Sequence, residues 1–355
     1  MIKIKYLLFA LLFVFLVAAV SLTLLNIFNR NHKHVFQSNT DNRTKVQLPP
    51  PKLSGWIAWW KEQQGYETEQ KFPEKIRSVS PVWFMIDKNL NLANIGSINR
   101  KKAIEDLKAK NIEILPSLGS ELTGEDLSLL LNNDRRIDGL ISTLIGRLNI
   151  LNVDGLDIDL EGIKREDKDA FSSFLSKISI QLKKRDLKMT VTVHAQTTKA
   201  VWKGVEGQDL KRIGEIADQI RIMVYDEHST DTTEGAIASF NWIDDVAKYN
   251  LKLIDKEKIV IGIPSYGYIW TKKGDSRGLQ FDEFYNYLQG KNYSQSRDNG
   301  SGEIVFKGDN FSGWLSDQDA MTKKIERLRA LGINKFIIWH LGGMDEKFFD
   351  KNWSE

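Results

Sequence analysis

The sequence predicts an α/β fold, a (β/α)8 or TIM barrel, on three observations. Eight short and mostly apolar runs alternate with amphipathic helical patterns between Leu53 and Trp353. The runs are four to nine residues long and mostly apolar, as strands buried on both faces are. The segment is somewhat longer than the roughly 250 residues such a barrel needs, and the excess lies between the seventh and eighth runs. A doubly wound open sheet is the competing architecture, but no G-x-G-x-x-G follows any run.

The runs occupy residues 54–59, 79–85, 112–118, 153–161, 189–194, 219–225, 259–264 and 336–340. Helical patterns between them cover, among others, 101–110, 136–148, 169–184 and 319–331. For the last helix Ser316 is the expected N-cap, with Asp319 three residues on and Gly332 as the stop. Residues 271–314 are too many for a plain strand-to-helix connection and predict a small α+β insertion inside a barrel domain of 53–355.

Ahead of the barrel, residues 1–28 open with Lys3 and Lys5 and then run uncharged from Tyr6 to Phe28. As a helix that run would measure about 34 Å, against roughly 30 Å of hydrocarbon in a bilayer. A transmembrane signal-anchor is therefore expected, with the body outside the cytoplasm. The alternative is secretion after cleavage of a signal peptide, whose apolar region is usually only about 7–15 residues. Lysines and arginines flank the run on both sides, so the charge count does not orient it. Residues 29–52 are polar, lack periodicity and end in Pro49-Pro50-Pro51, which predicts a linker with a stiff end.

Of 355 residues 41% are hydrophobic and 27% charged, which fits neither a disordered chain nor a multi-span membrane protein. The net charge is +3, and Lys3 and Lys5 supply two of those charges. What remains is nearly neutral, so no basic face for nucleic acid is expected. The absence of cysteine excludes disulfides, thiolate zinc sites and cysteine nucleophiles.

The segment carrying the chemistry is Asp154-Gly155-Leu156-Asp157-Ile158-Asp159-Leu160-Glu161. Strand side chains alternate, so Asp157, Asp159 and Glu161 share one face and the aliphatic residues the other. In a parallel barrel the acidic face points inward, with neighbours about 6.6 Å apart. Glu161 comes last, at the carboxyl end of the strand, where barrel active sites lie. Its carboxylate neighbours and partial burial are expected to keep it protonated, as a general acid must be. A calcium loop would instead be rich in Asn, Gly and carbonyl ligands, without alternating large aliphatics.

This octapeptide resembles the D-G-x-D-x-D-x-E signature of glycoside hydrolase family 18, the chitinase family, at all four acidic positions and the glycine. The resemblance implies a retaining, substrate-assisted glycosidase acting on β-1,4 bonds of N-acetylglucosamine-containing polysaccharide: chitin oligomers, peptidoglycan or exopolysaccharide. It implies that Glu161 protonates the glycosidic oxygen and that Asp159 orients the acetamido group. Asp157 would share a proton or hydrogen bond with Asp159. It also makes Asp154, which opens the signature, a candidate contact to substrate.

Met223-Val224-Tyr225-Asp226 stands 64 residues beyond Glu161 at Tyr225, about two strand–helix units on. In the family an M-x-Y-D tyrosine donates to the acetamido oxygen and the aspartate positions the sugar, which implicates Met223, Tyr225 and Asp226. The continuation into Glu227-His228, with Gly262-Ile263-Pro264-Ser265-Tyr266-Gly267-Tyr268, is similar to a bacterial branch of the family. That branch holds spore-cortex-lytic glycosidases and hydrolase domains fused to polysaccharide synthases; Tyr266 joins the candidate contacts. Trp339, ending the eighth run, resembles the family's tryptophan floor, whose indole face suits the C–H face of a pyranose. Ser117-Leu118-Gly119-Ser120 resembles S-x-G-G but has Ser120 in place of the second glycine.

Trp56, Trp59, Trp60, Trp83, Trp202, Trp270 and Trp314 are candidates for further subsites or for plain core packing. His194, His228 and His340 fall near strand ends, so a metal-dependent barrel hydrolase is an alternative, as is a catalytically silent carbohydrate-binding protein on the same barrel. No H-x-H or H-E-x-x-H occurs, and neither metal nor organic cofactor is expected.

Overall fold

The computed structural model of the protein describes residues 49–198 and 203–353. The expected anchor at 1–28, most of the linker and Trp202 lie outside the described residues. Among the described residues no helix is long and apolar enough to cross a membrane.

The chain opens with β1 (Lys52–Ile57), α1 (Glu62–Lys71) and β2 (Ile76–Ile86), against which β3 (Leu92–Asn94) folds back antiparallel. Helix α2 (Arg100–Ala109) precedes a third barrel strand broken at Pro116 into β4 (Glu113–Ile114) and β5 (Ser117–Ser120). Helices α3 (Gly124–Leu131) and α4 (Asp134–Leu151) lead to β6 (Gly155–Ile158). Then come α5 (Lys168–Lys183), β7 (Lys188–His194), α6 (Leu210–Ile216), β8 (Gln219–Met223), α7 (Phe240–Asn250) and β9 (Ile259–Pro264).

The insertion follows at once: β10 (Tyr266–Thr271), β11 (Ser276–Gln280), α8 (Phe281–Leu288), β12 (Tyr293–Arg297), β13 (Ile304–Gly308) and β14 (Phe311–Leu315). Helix α9 (Gln318–Ala330) and β15 (Lys335–Trp339) complete the barrel. Parallel pairing runs through β1, β15, β9, β8, β7, β6, β5 and β2, and β2 pairs back onto β1. The sheet therefore closes, and the open doubly wound alternative is set aside.

Helix α4 shows how the outer layer forms. Ile137, Leu140, Ile141, Leu144, Ile145 and Leu148 recur at three- and four-residue spacing, and all are buried against the sheet. Each such side chain contributes about 1.5–3 kcal/mol by leaving water. Asn133 caps the start by accepting from Arg136 N, and Asn152, in the left-handed region, ends the helix.

Two expectations are corrected here. The N-cap of α9 is Asp317, which accepts from Ala320 N, rather than Ser316. Ser316 instead belongs to the end of the insertion, where its N–H donates to Tyr266 O. The expected fourth strand, 153–161, shrinks to Gly155–Ile158, because β5 pairs with it only at Ser117 and Leu118. Asp159 N still donates to Leu118 O, but Glu161 stands beyond the ladder, beside the turn at Gly162.

The insertion is a five-stranded antiparallel sheet, ordered β11-β10-β14-β13-β12, with α8 on one face. It starts earlier than the expected 271, because only Ser265 separates the end of β9 from the start of β10. Alternation along β10 sends Ile269 into the insertion's own core with Phe284 and Phe306, while Tyr266, Tyr268 and Trp270 join Met223 and Tyr225 at the barrel mouth. Gly267 and Gly313 let α8 sit close: a Cβ on either would come within 2.8 Å of the Phe284 ring.

Candidate active site

Strand register builds the lower layer of the site. Ser117 of β5 and Thr190 of β7 both lie opposite Asp157 of β6, and Thr192 lies opposite Arg221 of β8. All these side chains are buried in the barrel interior. Asp157 Oδ2 accepts from Trp56 Nε1 at 3.0 Å and Ser117 Oγ at 2.8 Å; Oδ1 accepts from Thr190 Oγ1 at 2.7 Å and Thr192 Oγ1 at 3.1 Å. Arg221 Nη1 lies 3.0 Å from Oδ2 and also donates to Ser80 Oγ. A buried carboxylate is tolerable only with such a set of partners.

The upper layer is furnished differently. Asp159 has Oδ1 buried without a hydrogen-bond partner. Desolvation, reinforced by the Glu161 and Asp157 charges, pushes its carboxyl well above the usual range, while Arg221 opposes. The expected bond between Asp157 and Asp159 is replaced by the donors on neighbouring strands, which occupy both Asp157 oxygens. Glu161 is 55% exposed, and its Oε2 lies 3.2 Å from Nε2 of His194, at the end of β7. Desolvation raises its carboxyl, but the hydrogen bond and charge of His194 outweigh it, and the net direction is down. This direction is opposite to the one expected for Glu161: of the two carboxyls, Asp159 is the one raised and Glu161 the one lowered.

Tyr225 is buried just after β8, and desolvation together with the surrounding carboxylates, Asp159 first, raises its phenol well above the ordinary value. Gly262 makes room for it, since a Cβ there would sit 3.0 Å from the ring. Asp226 adopts φ +63°, a conformation Asp tolerates better than most residues. Its Oδ1 accepts from the phenols of Tyr266 and Tyr268, the latter at 2.8 Å, so the insertion holds it in place. Desolvation and the Glu161 charge raise its carboxyl against those two donors.

Trp339, half-buried at the end of β15, lies nearly parallel to Tyr225, with ring centroids 6.5 Å apart and planes at 18°. It meets Trp56 and Trp60 edge-on at 5.6 and 6.1 Å. Trp59 and Trp60 are the exposed tryptophans of this mouth, at 47% and 52%. Trp56 is a core residue bonded to Asp157, and Trp83 is buried and donates to Glu62. Trp270 donates to Ser229 O and packs edge-on against Trp314.

Not every expected residue gathers here. Asp154 sits ahead of β6, at the opposite end of the barrel from the cleft, where its Oδ2 accepts from Ile114 N at 2.9 Å. It ties two strands together, and its expected contact with substrate is corrected. Met223 lies buried in the cluster beneath Tyr225. The three histidines go to separate partners: His194 to Glu161, His228 Nδ1 to Ala236 O, and His340 into a buried niche beside Trp60 and Trp339. Burial pushes His340 down to about 4. Among the described residues no three His, Asp or Glu side chains are grouped to hold a metal ion. Arg221 was missed in the sequence, although its place between Ile220 and Ile222 puts it on the inward face.

Residues 54–345 match the family described as glycosyl hydrolases family 18. The chain belongs to that family. It is therefore a glycoside hydrolase. It is similar to the uncharacterized glycosylase YvbX of Bacillus subtilis, 23% identical over 297 residues that span 80% of this chain and 86% of the relative. Among solved structures it resembles a chitinase from Chromobacterium violaceum, with TM-score 0.76, 20% identity, and coverage of 84% of this chain and 97% of that one. The spore cortex-lytic enzyme SleL of Bacillus megaterium superposes with TM-score 0.74 at 20% identity, covering 86% of this chain and 74% of that one. These likenesses support the barrel.

Proposed function

We propose that this glycoside hydrolase cleaves β-1,4 bonds in N-acetylglucosamine-containing polysaccharide with retention, using the sugar's own acetamido group as nucleophile. The observation that carries the reading is the half-exposed Glu161 at the barrel rim, beside an Asp159 whose buried oxygen lacks a partner and a Tyr225 phenol close to both. The sugar rests on Trp339, and the Tyr225 O–H donates to the acetamido oxygen. Asp159 Oδ1 accepts from the acetamido N–H, which requires Asp159 to pass its proton to Glu161.

Glu161 then gives that proton to the glycosidic oxygen as the acetamido oxygen bonds to the anomeric carbon. The glycosidic bond breaks, leaving an alcohol and an oxazolinium ion on a carboxylate-lined floor. Water adds to the same carbon, loses its proton to Glu161 and reopens the ring. The Arg221–Asp157 layer beneath keeps the geometry fixed without touching the sugar.

The polymer is expected outside the cytoplasm, with the barrel anchored by, or released from, residues 1–28; fractionation of cells making full-length and truncated protein tests this. One similar structure is named a chitinase and the other a spore cortex-lytic enzyme. Chitooligosaccharides and purified peptidoglycan are accordingly the substrates to set side by side. Wild-type protein releases products whose chain lengths report the polymer and the mode of attack. Glu161→Gln binds the same glycan without cutting it; full turnover by that variant overturns the assignment.

A further inference from the structure

We propose that His194 is a positioning residue for Glu161, fixing the orientation and charge of the carboxyl through the contact between Nε2 and Oε2. The inference rests on the reading of Glu161 as the acid and deepens it.

Alternation along β7 supplies the first argument. Thr190 and Thr192 point inward and bond to Asp157, and His194 is the next residue on that face, one level higher. One strand thus serves both acidic layers. The strand end is itself held: His194 N donates to Gln208 Oε1 at 3.0 Å, and His194 lies opposite Met223 of β8. The imidazole is 19% exposed, so its contact with Glu161 at 3.2 Å is only partly screened by water.

The second argument is the charge around the pair. Asp159 and Asp157 face it from β6, and Arg221, Tyr225 and Asp226 from β8 or just beyond it. Of these only Arg221 is cationic, and it is engaged with Asp157 below. Without His194, the desolvation that raises Glu161 would act unopposed. With His194 the net direction is down, which favours the carboxylate, the form that takes a proton from water in the second half of the cycle. The consequence is an acid step that fails at lower pH than it otherwise would.

The test measures kcat and KM against pH on chitooligosaccharides for wild type, His194→Ala and His194→Gln, with a carbon-13 titration of the Glu161 carboxyl in each. In His194→Ala the cause that lowers Glu161 is gone, so the alkaline limb of kcat/KM moves to higher pH and the carboxyl titration moves with it. Lost orientation reduces kcat about tenfold, with KM changed by less than about twofold. Glutamine restores a neutral donor, so His194→Gln recovers kcat and, because the hydrogen bond is the larger of the two lowering causes, most of the wild-type limb position. A folded His194→Ala protein whose limb and carboxyl titration both stay at the wild-type pH overturns the proposal. The carboxyl titration decides the contact by itself: if Glu161→Gln were to keep its turnover, the acid assignment would fall while the His194 coupling was still read directly.

Discussion

Asp157 and Glu161 stand four residues apart in the sequence and in opposite surroundings. Asp157 is fully buried, and donors from β1, β5, β7 and β8 converge on it. Glu161 is half-exposed beyond the end of β6, with one imidazole beside it. The lower carboxylate is satisfied by the protein, and the upper pair, Asp159 and Glu161, is left short of partners. That asymmetry separates groups that hold the barrel from groups free to meet a substrate, and it yields separable consequences for stability and turnover.

The sharpest separation is at the rim. Glu161→Gln is expected to lower kcat by about 10²–10⁴-fold while the melting temperature stays at the wild-type value. In the lower layer the order reverses. Arg221→Met leaves Asp157 buried without its cation and is expected to cost about 3–5 kcal/mol in denaturant unfolding. An unchanged unfolding midpoint would show that the lower layer bears none of the proposed load.

How much of this contrast was legible depended on whether the signal was local. The alternation in 154–161 gave the inward acidic face, and the eight apolar runs gave the barrel, because both are periodicities within one strand or helix. The charge states were not legible, since they depend on which side chains adjoining strands bring. Burial and like charge correctly indicated a raised carboxyl but assigned it to Glu161; the imidazole that reverses the order comes from β7. Asp154 was misread for a related reason: the signature is contiguous in sequence, yet β6 carries its two ends to opposite ends of the barrel. Arg221 was within reach, because its inward direction follows from the flanking isoleucines alone.

Smaller effects sharpen the same contrast. Trp56→Phe removes one of the donors on Asp157 and keeps most of the ring packing, with an expected loss of about 1.5–3 kcal/mol in unfolding free energy. Asp159→Asn is expected to act oppositely on stability and activity. Because the folded state raises this carboxyl, the wild type is favoured while Asp159 is protonated and loses that advantage as pH rises through the raised value. The asparagine variant should therefore melt with wild type at pH 4 and above it at pH 8, while turning over far more slowly. Equal melting curves at both values would mean that Asp159 ionises in the fold as freely as in the unfolded chain.

The central claim is that the sugar's acetamide is the nucleophile. Hydrolysis rates of a chitooligosaccharide and of its matched counterpart bearing a free amine on the cleaved sugar test it directly. The account predicts rapid cleavage of the acetylated oligomer and essentially none of the amine; equal rates would contradict it.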